Sequence, residues 1–184
     1  HFGAGSFRGA STLLSRFFLV NPIMFYQEWT ELADLLEDRH DRPQVLVDPR
    51  ALVTTPVDMM INTAIEDARG NLRHGSVGVG VNETVTRSEH SCFTIRAVDL
   101  TDLDSLRKKM AAIESEWVKE RGIQLGVYHL LDPKLISEVM RKWLMDTAFF
   151  VNSCGFMNDT TAIRNWDHVV FEGAQGLRLD EFAP

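Results

Sequence analysis

The chain is short of the features that most quickly assign a protein to a class. Its 184 residues include two cysteines, Cys92 and Cys154, far apart and in no CxxC pair. That spacing argues against a disulfide scaffold and fits a reduced, cytoplasmic protein. No apolar run approaches the roughly 20 residues that span a bilayer, and no signal peptide opens the chain, so no membrane partner is expected. Positive charge is scarce: 19 Lys and Arg stand against 26 Asp and Glu, a net charge of −7. Nucleic acid is thereby excluded as a partner, because a phosphate backbone needs a basic face. The six histidines and the acidic residues show no metal spacing such as HExxH. No GxxxxGK[ST] string occurs and no lysine lies in a glycine cluster, which excludes a P-loop of that kind within these residues. Repeats, low-complexity stretches and linkers are likewise missing.

What is present reads as a folded chain. An apolar fraction of 45% and a charged fraction of 24% are ordinary for a globular protein. The length suits one domain, predicted over residues 1–184. Asn21-Pro22, Thr55-Pro56 and Asp132-Pro133 each place a capping side chain before a proline at the first helical position. They predict helices running to His40, to Gly70 and through Phe150. Another helix is expected from Thr101 or Asp102 to Gly122, with Leu103, Leu106, Met110, Ile113 and Trp117 on one face. A short one is expected from Asn82, with Glu83 in its first turn. Strands are predicted at about 17–20, 44–48, 93–97 and 168–172. Residues Asn152–Asp167 read as a polar, irregular connection. The predicted class is α/β: the helix-rich part of a mixed or mostly parallel sheet with helices packed on it.

Two loops carry the chemistry. Val169-Val170-Phe171 leads into Glu172-Gly173-Ala174-Gln175-Gly176, so a strand would deliver a glutamate, two glycines and a glutamine to the open end of a sheet, where α/β proteins hold ligands. Glu172 is the expected buried carboxylate, fixing the loop by accepting from its N–H groups. The glycines permit close backbone approach, and the Gln175 amide both donates and accepts. Upstream, Gly75-Ser76-Val77-Gly78-Val79-Gly80 precedes a short helix. Alternating glycines before a helix make a concavity of backbone N–H groups that suits a phosphate. A helix rather than a strand precedes this loop, which counts against a dinucleotide fingerprint. Arg69, Arg73 and His74 flank the loop. Arg87 lies one turn after Glu83, where an exposed pair of a few tenths of a kcal/mol is the plain alternative to ligand contact.

Phe-Glu-Gly-Ala-Gln-Gly, followed by Leu179-Asp180, resembles the FEGAQG-x-x-LD segment of the adenylosuccinate synthetase family. The Gly75–Gly80 run stands in order and spacing where that family has its GTTGRGIGP loop. Ile95-Arg96-Ala97-Val98-Asp99-Leu100 is similar to the family's IRVGDL, and the opening His1–Ser6 to its HLIPSG. The resemblance covers the whole chain and is strongest at the two loops. It also departs from the pattern. Val77 replaces a threonine that would contact phosphate, Ser91 and Cys92 replace the paired arginines before IRVGDL, and Leu177-Arg178 follow the Gln loop.

The resemblance implies a homodimeric, cytoplasmic ligase of purine biosynthesis. With GTP and Mg²⁺ such an enzyme phosphorylates the 6-oxygen of IMP, and aspartate then displaces that phosphate. It implies a substrate-binding set of Gly75, Ser76, Val77, Gly78, Arg87, Gly173, Gln175 and Gly176. Gly75, Ser76 and Gly78 would cradle the 5′-phosphate, Val77 would offer only its N–H, and Arg87 would be the arginine crossing to the neighbouring subunit. The family's QWGDEGKGK loop is absent from these residues. The chain is therefore expected to be the central segment of such an enzyme, with no catalytic residue, no metal site and no activity of its own, and with a tendency to dimerise or aggregate. The alternative reading is a non-catalytic nucleotide-binding or assembly module of the same descent.

Overall fold

A computed structural model describes residues 1–36, 43–72 and 78–173. The three cap-proline signals all begin helices: α1 (Pro22–Leu36), α2 (Pro56–Arg69) and, farther along, α6 (Pro133–Ser153). In each, the preceding side chain accepts from orphan N–H groups of the first turn. Asn21 Oδ1 takes the N–H groups of Ile23 and Met24 at 3.1 and 3.3 Å, and Asp132 takes that of Lys134 at 2.9 Å. Thr55 and Asp58 form a reciprocal capping box on α2.

The sheet is parallel, small and split. Strands β1 (Thr12–Leu14), β3 (Val45–Val47) and, near the C-terminal end of the described residues, β5 (Cys154–Phe156) form one sheet in the order β1-β3-β5. Thr12 pairs with Val45, which pairs in turn with Cys154. Beyond short interruptions, β2 (Leu19–Val20) and β4 (Leu52–Val53) pair in the same sense. All three residues of β3 are buried, as a central parallel strand covered on both faces requires. Helices pack around these strands, so the α/β class stands.

One face of the sheet region is closed by α1 and α6 through a cluster of rings. Phe25, fully buried, meets Phe150 edge-on at 4.9 Å and stacks on Phe2 at 5.2 Å, with Trp29 and Phe149 completing the contact. Between α2 and α6 the chain runs through α3 (Val81–Ser88), α4 (Leu103–Ala112), a π turn (Ile113–Trp117) and α5 (Val118–Gln124). Of the predicted face, Leu106, Met110, Ile113 and Trp117 are buried, whereas Leu103, in the first turn, is exposed. The π turn lies within what reads in sequence as one continuous helix, and Trp117 packs on Phe93 and His90 at 5.5 and 5.3 Å. Among the described residues no helix is long and apolar enough to cross a membrane.

Several expectations are corrected. Residues 168–172 do not form a strand, and Glu172 is exposed rather than buried. Its Oε1 accepts from the Ala4 N–H at 3.2 Å, so it ties down the N-terminal segment. Residues 93–97 contribute only an isolated antiparallel bridge between Arg96 and Leu52, and a 3₁₀ turn follows at once. The stretch Asn152–Asp167 is not irregular: it holds the end of α6, β5 and helix α7 (Asp159–Asn165). The reason β5 escapes a local reading is its glycine. Gly155 weakens a strand in isolation, and here it packs against Leu46 of β3, whose Cδ2 would have to shift to admit a Cβ. The short helix begins at Val81 with Gly80 at its cap, and Asn82 lies inside it.

Asp48, directly after β3, fastens the split in the sheet. Arg50 Nε and Nη2 donate to its two oxygens at 2.9 and 2.7 Å, and the Asp159 N–H donates at 2.9 Å. The Arg50 guanidinium beside Asp48, aided by the Asp159 and Arg50 backbone N–H groups, holds its carboxyl well below the usual carboxylate range. A depressed carboxylate contributes stability that is fully present above the unfolded value of about 3.9 and is lost as pH falls toward the folded one. Thermal melts between about pH 2 and pH 7 are therefore expected to show a steep acid-side loss that Asp48→Asn flattens. Parallel acid limbs in parent and variant would assign the loss to other groups.

Candidate functional site

The glycine loop is delivered by α2 and ends on α3. Gly75, Ser76 and Val77, with Arg73 and His74, lie outside the described residues, as do Gln175 and Gly176. Its geometry is therefore carried by Gly78 and Gly80. Both have left-handed backbone, at φ +76° and +78°, which few side-chain-bearing residues adopt. Gly80 is buried, and an added Cβ would stand 2.8 Å from both Asp58 C and Met59 N. The end of the loop thus rests directly on the backbone of the first turn of α2. Gly173 is exposed.

Helix α3 is polar on the inside. Glu83, Thr84 and Arg87 are buried, at 1%, 0% and 0% exposure, whereas Val81 and Val85 are 55% and 43% exposed. Burying charge is unfavourable unless it is paired and hydrogen-bonded, and here both charges are. Arg87 Nε and Nη2 donate to Asp58 Oδ1 and Oδ2, each at 2.9 Å. Nη2 also donates to the Val53 carbonyl at 2.7 Å, and Nη1 to that of Phe93 at 2.5 Å. The guanidinium fork thereby joins α2, β4 and the segment after α3. On the other side Arg121 Nε and Nη2 donate to Glu83 Oε2 and Oε1 at 2.8 and 3.0 Å, which ties α3 to α5.

Asp58 is the hub. Besides Arg87 it accepts from the Thr55 N–H at 2.8 Å and the Thr55 hydroxyl at 3.0 Å. The Thr84 hydroxyl lies 2.9 Å from Thr54 Oγ1, 2.9 Å from the Gly80 carbonyl and 3.3 Å from Asp58 Oδ2. One hydroxyl thus stands between the carboxylate and the last carbonyl of the loop.

The expectations for individual residues divide accordingly. Arg87 neither forms an exposed pair with Glu83 nor faces outward: it is buried and makes four donations inside the chain, to Asp58, Val53 and Phe93. Arg69 pairs with Glu66 on the surface. Ser91 and Cys92, at the positions of the family's paired arginines, are exposed. Asp58 was not singled out in the sequence, although Thr-Pro-x-Asp is a legible capping box. Nothing local indicates that its carboxylate also meets Arg87, 29 positions away. Among the described residues no group of three or more His, Cys, Asp or Glu is placed to hold a metal ion.

Comparison with known proteins agrees with the loop resemblance. The family model for adenylosuccinate synthetase matches residues 3–182. Adenylosuccinate synthetase of Nostoc punctiforme is 30% identical over 162 residues, covering 82% of this chain and 33% of the relative. That of Gloeothece citriformis is 28% identical over 174 residues, covering 88% and 35%. That of Natronomonas pharaonis is 27% identical over 192 residues, covering 96% and 40%. The chain therefore spans between a third and two fifths of the length of these relatives. With the family model matching nearly every residue, the chain belongs to the adenylosuccinate synthetase family.

Proposed function

We propose that this chain is the purine-mononucleotide-binding segment of a GTP-dependent ligase that joins aspartate to the 6-position of IMP or a related nucleotide. The observation that supports the reading is the pair of left-handed glycines, Gly78 and Gly80, at the start of α3, in the run that resembles the family's phosphate loop. In this reading Gly75, Ser76 and Gly78 cradle the 5′-phosphate through backbone N–H groups and the Ser76 hydroxyl. Val77 supplies its N–H alone. Gln175 contacts the nucleotide, and Gly173 and Gly176 let it approach. Arg87 serves this site from beneath rather than by touching the ligand.

GTP and Mg²⁺ are assigned to no residue of this chain. Its sequence has no lysine-bearing glycine loop, and its described residues offer no acidic set for a metal. The chemical steps, aspartate binding and the homodimer accordingly belong to the proposal for the whole protein.

Calorimetric titration with IMP, GMP and dGMP, beside Gln175→Ala and Ser76→Ala, tests the reading. Saturable binding of one nucleotide, weakened roughly tenfold or more in each variant, is expected, since each removes a hydrogen bond to a charged or desolvated group. A folded chain that binds none of the three would sink it.

A further inference from the structure

The buried charges of α3 need a reason, because stability alone does not supply one. A buried ion pair often gains little over well-packed apolar residues of the same volume. What the Asp58–Arg87 pair does supply is direction. Its fork has fixed donor angles, and they engage a carboxylate on α2, the Val53 carbonyl on β4 and the Phe93 carbonyl. Apolar contact would let α3 roll by small amounts, whereas four donations at 2.5–2.9 Å from one rigid group do not.

The consequence reaches the loop by two routes. Gly80 abuts the backbone of Asp58 and Met59 so closely that no Cβ fits. Its carbonyl, meanwhile, is bonded by the Thr84 N–H at 2.9 Å and lies within reach of the Thr84 hydroxyl, which also approaches Asp58. The place of Gly80 and the direction of the Gly80–Val81 peptide are therefore set from Asp58. Anion recognition by backbone N–H groups depends on such placement, and errors of about 1 Å are expensive.

We propose that Asp58 and Arg87 are positioning residues for nucleotide binding: by fixing α3 against α2 and β4 they set the geometry of the phosphate loop, and they do not touch the ligand. The inference rests on the phosphate-loop reading of Gly75–Gly80. It accounts for a polar helix face where an apolar one would fold as well.

The test separates position from stability. The double variant Asp58→Leu/Arg87→Met replaces the pair with apolar residues and leaves no lone buried charge. It is expected to unfold cooperatively and to lose less stability than Asp58→Ala, because both variants orphan the Thr55 donors but only the single one strands a buried cation. Its IMP affinity should nonetheless be roughly tenfold or more weaker. In ¹H–¹⁵N spectra the Gly78 and Gly80 amides should move while those of α6 stay in place. Should the double variant not fold, Arg87→Lys keeps the charge but loses the fork, and the same two changes are expected of it. A folded variant with affinity within about twofold of the parent and unmoved glycine amides would overturn the proposal. If the parent itself binds no nucleotide, the phosphate-loop reading fails on its own, and the Gly78 and Gly80 amides still decide whether the pair positions the loop.

Discussion

Asp58→Ala is expected to destabilise the chain by about 3–5 kcal/mol, the typical result of removing one partner of a buried ion pair. The reason is less the lost attraction than what stays behind. Arg87 has no exposure to solvent, and its cation would face two carbonyls with no counter-ion. Asp58 also closes the capping box on α2, so the orphan Thr55 N–H and hydroxyl add to the loss. Against a typical total of 5–15 kcal/mol, this single change removes a large fraction. Urea denaturation is the measurement, read from the midpoint at constant slope. A loss under about 1 kcal/mol would mean that water enters and solvates Arg87. Replacing both partners by apolar residues should cost far less, and that contrast distinguishes a stranded charge from lost packing.

The second large effect is expected at Gly80, where Ala should reduce stability by about 2–5 kcal/mol. Two penalties combine. A side-chain-bearing residue held at φ +78° costs on the order of 1–3 kcal/mol. A Cβ at 2.8 Å from Asp58 C and Met59 N forces a further shift of similar size, because both atoms are helix backbone and neither can swing away. Gly78→Ala makes an internal control. Gly78 shares the left-handed conformation, at φ +76°, but an added Cβ there meets nothing within 4 Å among the described residues, so the conformational penalty is the one expected. Thermal melts of the two variants give the difference directly. Equal losses would show that the loop end lifts off α2 at little cost, and that Gly80 is required only for its backbone angle. Weakened nucleotide binding is expected for both, since each redirects peptides of the loop.

Much of this architecture was legible locally. The three cap-proline pairs are complete instructions: an oxygen that accepts the first free N–H groups, then a residue without one. They located the starts of α1, α2 and α6 at Pro22, Pro56 and Pro133. Four of the five residues of the face, Leu106, Met110, Ile113 and Trp117, were readable for the same kind of reason, since helical periodicity needs no knowledge of the partner surface. Leu103, at the helix start, stays exposed. Val45-Leu46-Val47 was readable as a short apolar β-branched run. Strand β1, with three residues, and β5, with a glycine at its centre, were not, because their extended form depends on β3 lying between them. The converse error, a strand at residues 168–172, has the same origin: Val-Val-Phe favours extended backbone, but among the described residues no neighbouring strand takes up its hydrogen bonds.

By itself, then, the sequence determined the family, through the two glycine loops, and the helical frame, through caps and periodicity; both are written in residues close together along the chain. Only the tertiary structure decided what the charges do. Whether Arg87 faces solvent, a ligand or a carboxylate depends on which side of α3 the rest of the chain covers. Its partner Asp58 lies 29 positions away, and Arg121, the partner of Glu83, lies 38 positions away. Charge–charge contacts of that kind carry no periodic signal. The local pattern, with valines at positions 81 and 85 and charges at 83 and 87, suggests the opposite orientation from the one adopted. The fold turns those charges inward because a buried ion pair with Asp58, a part-buried one with Arg121 and the Val53 and Phe93 carbonyls receive them there.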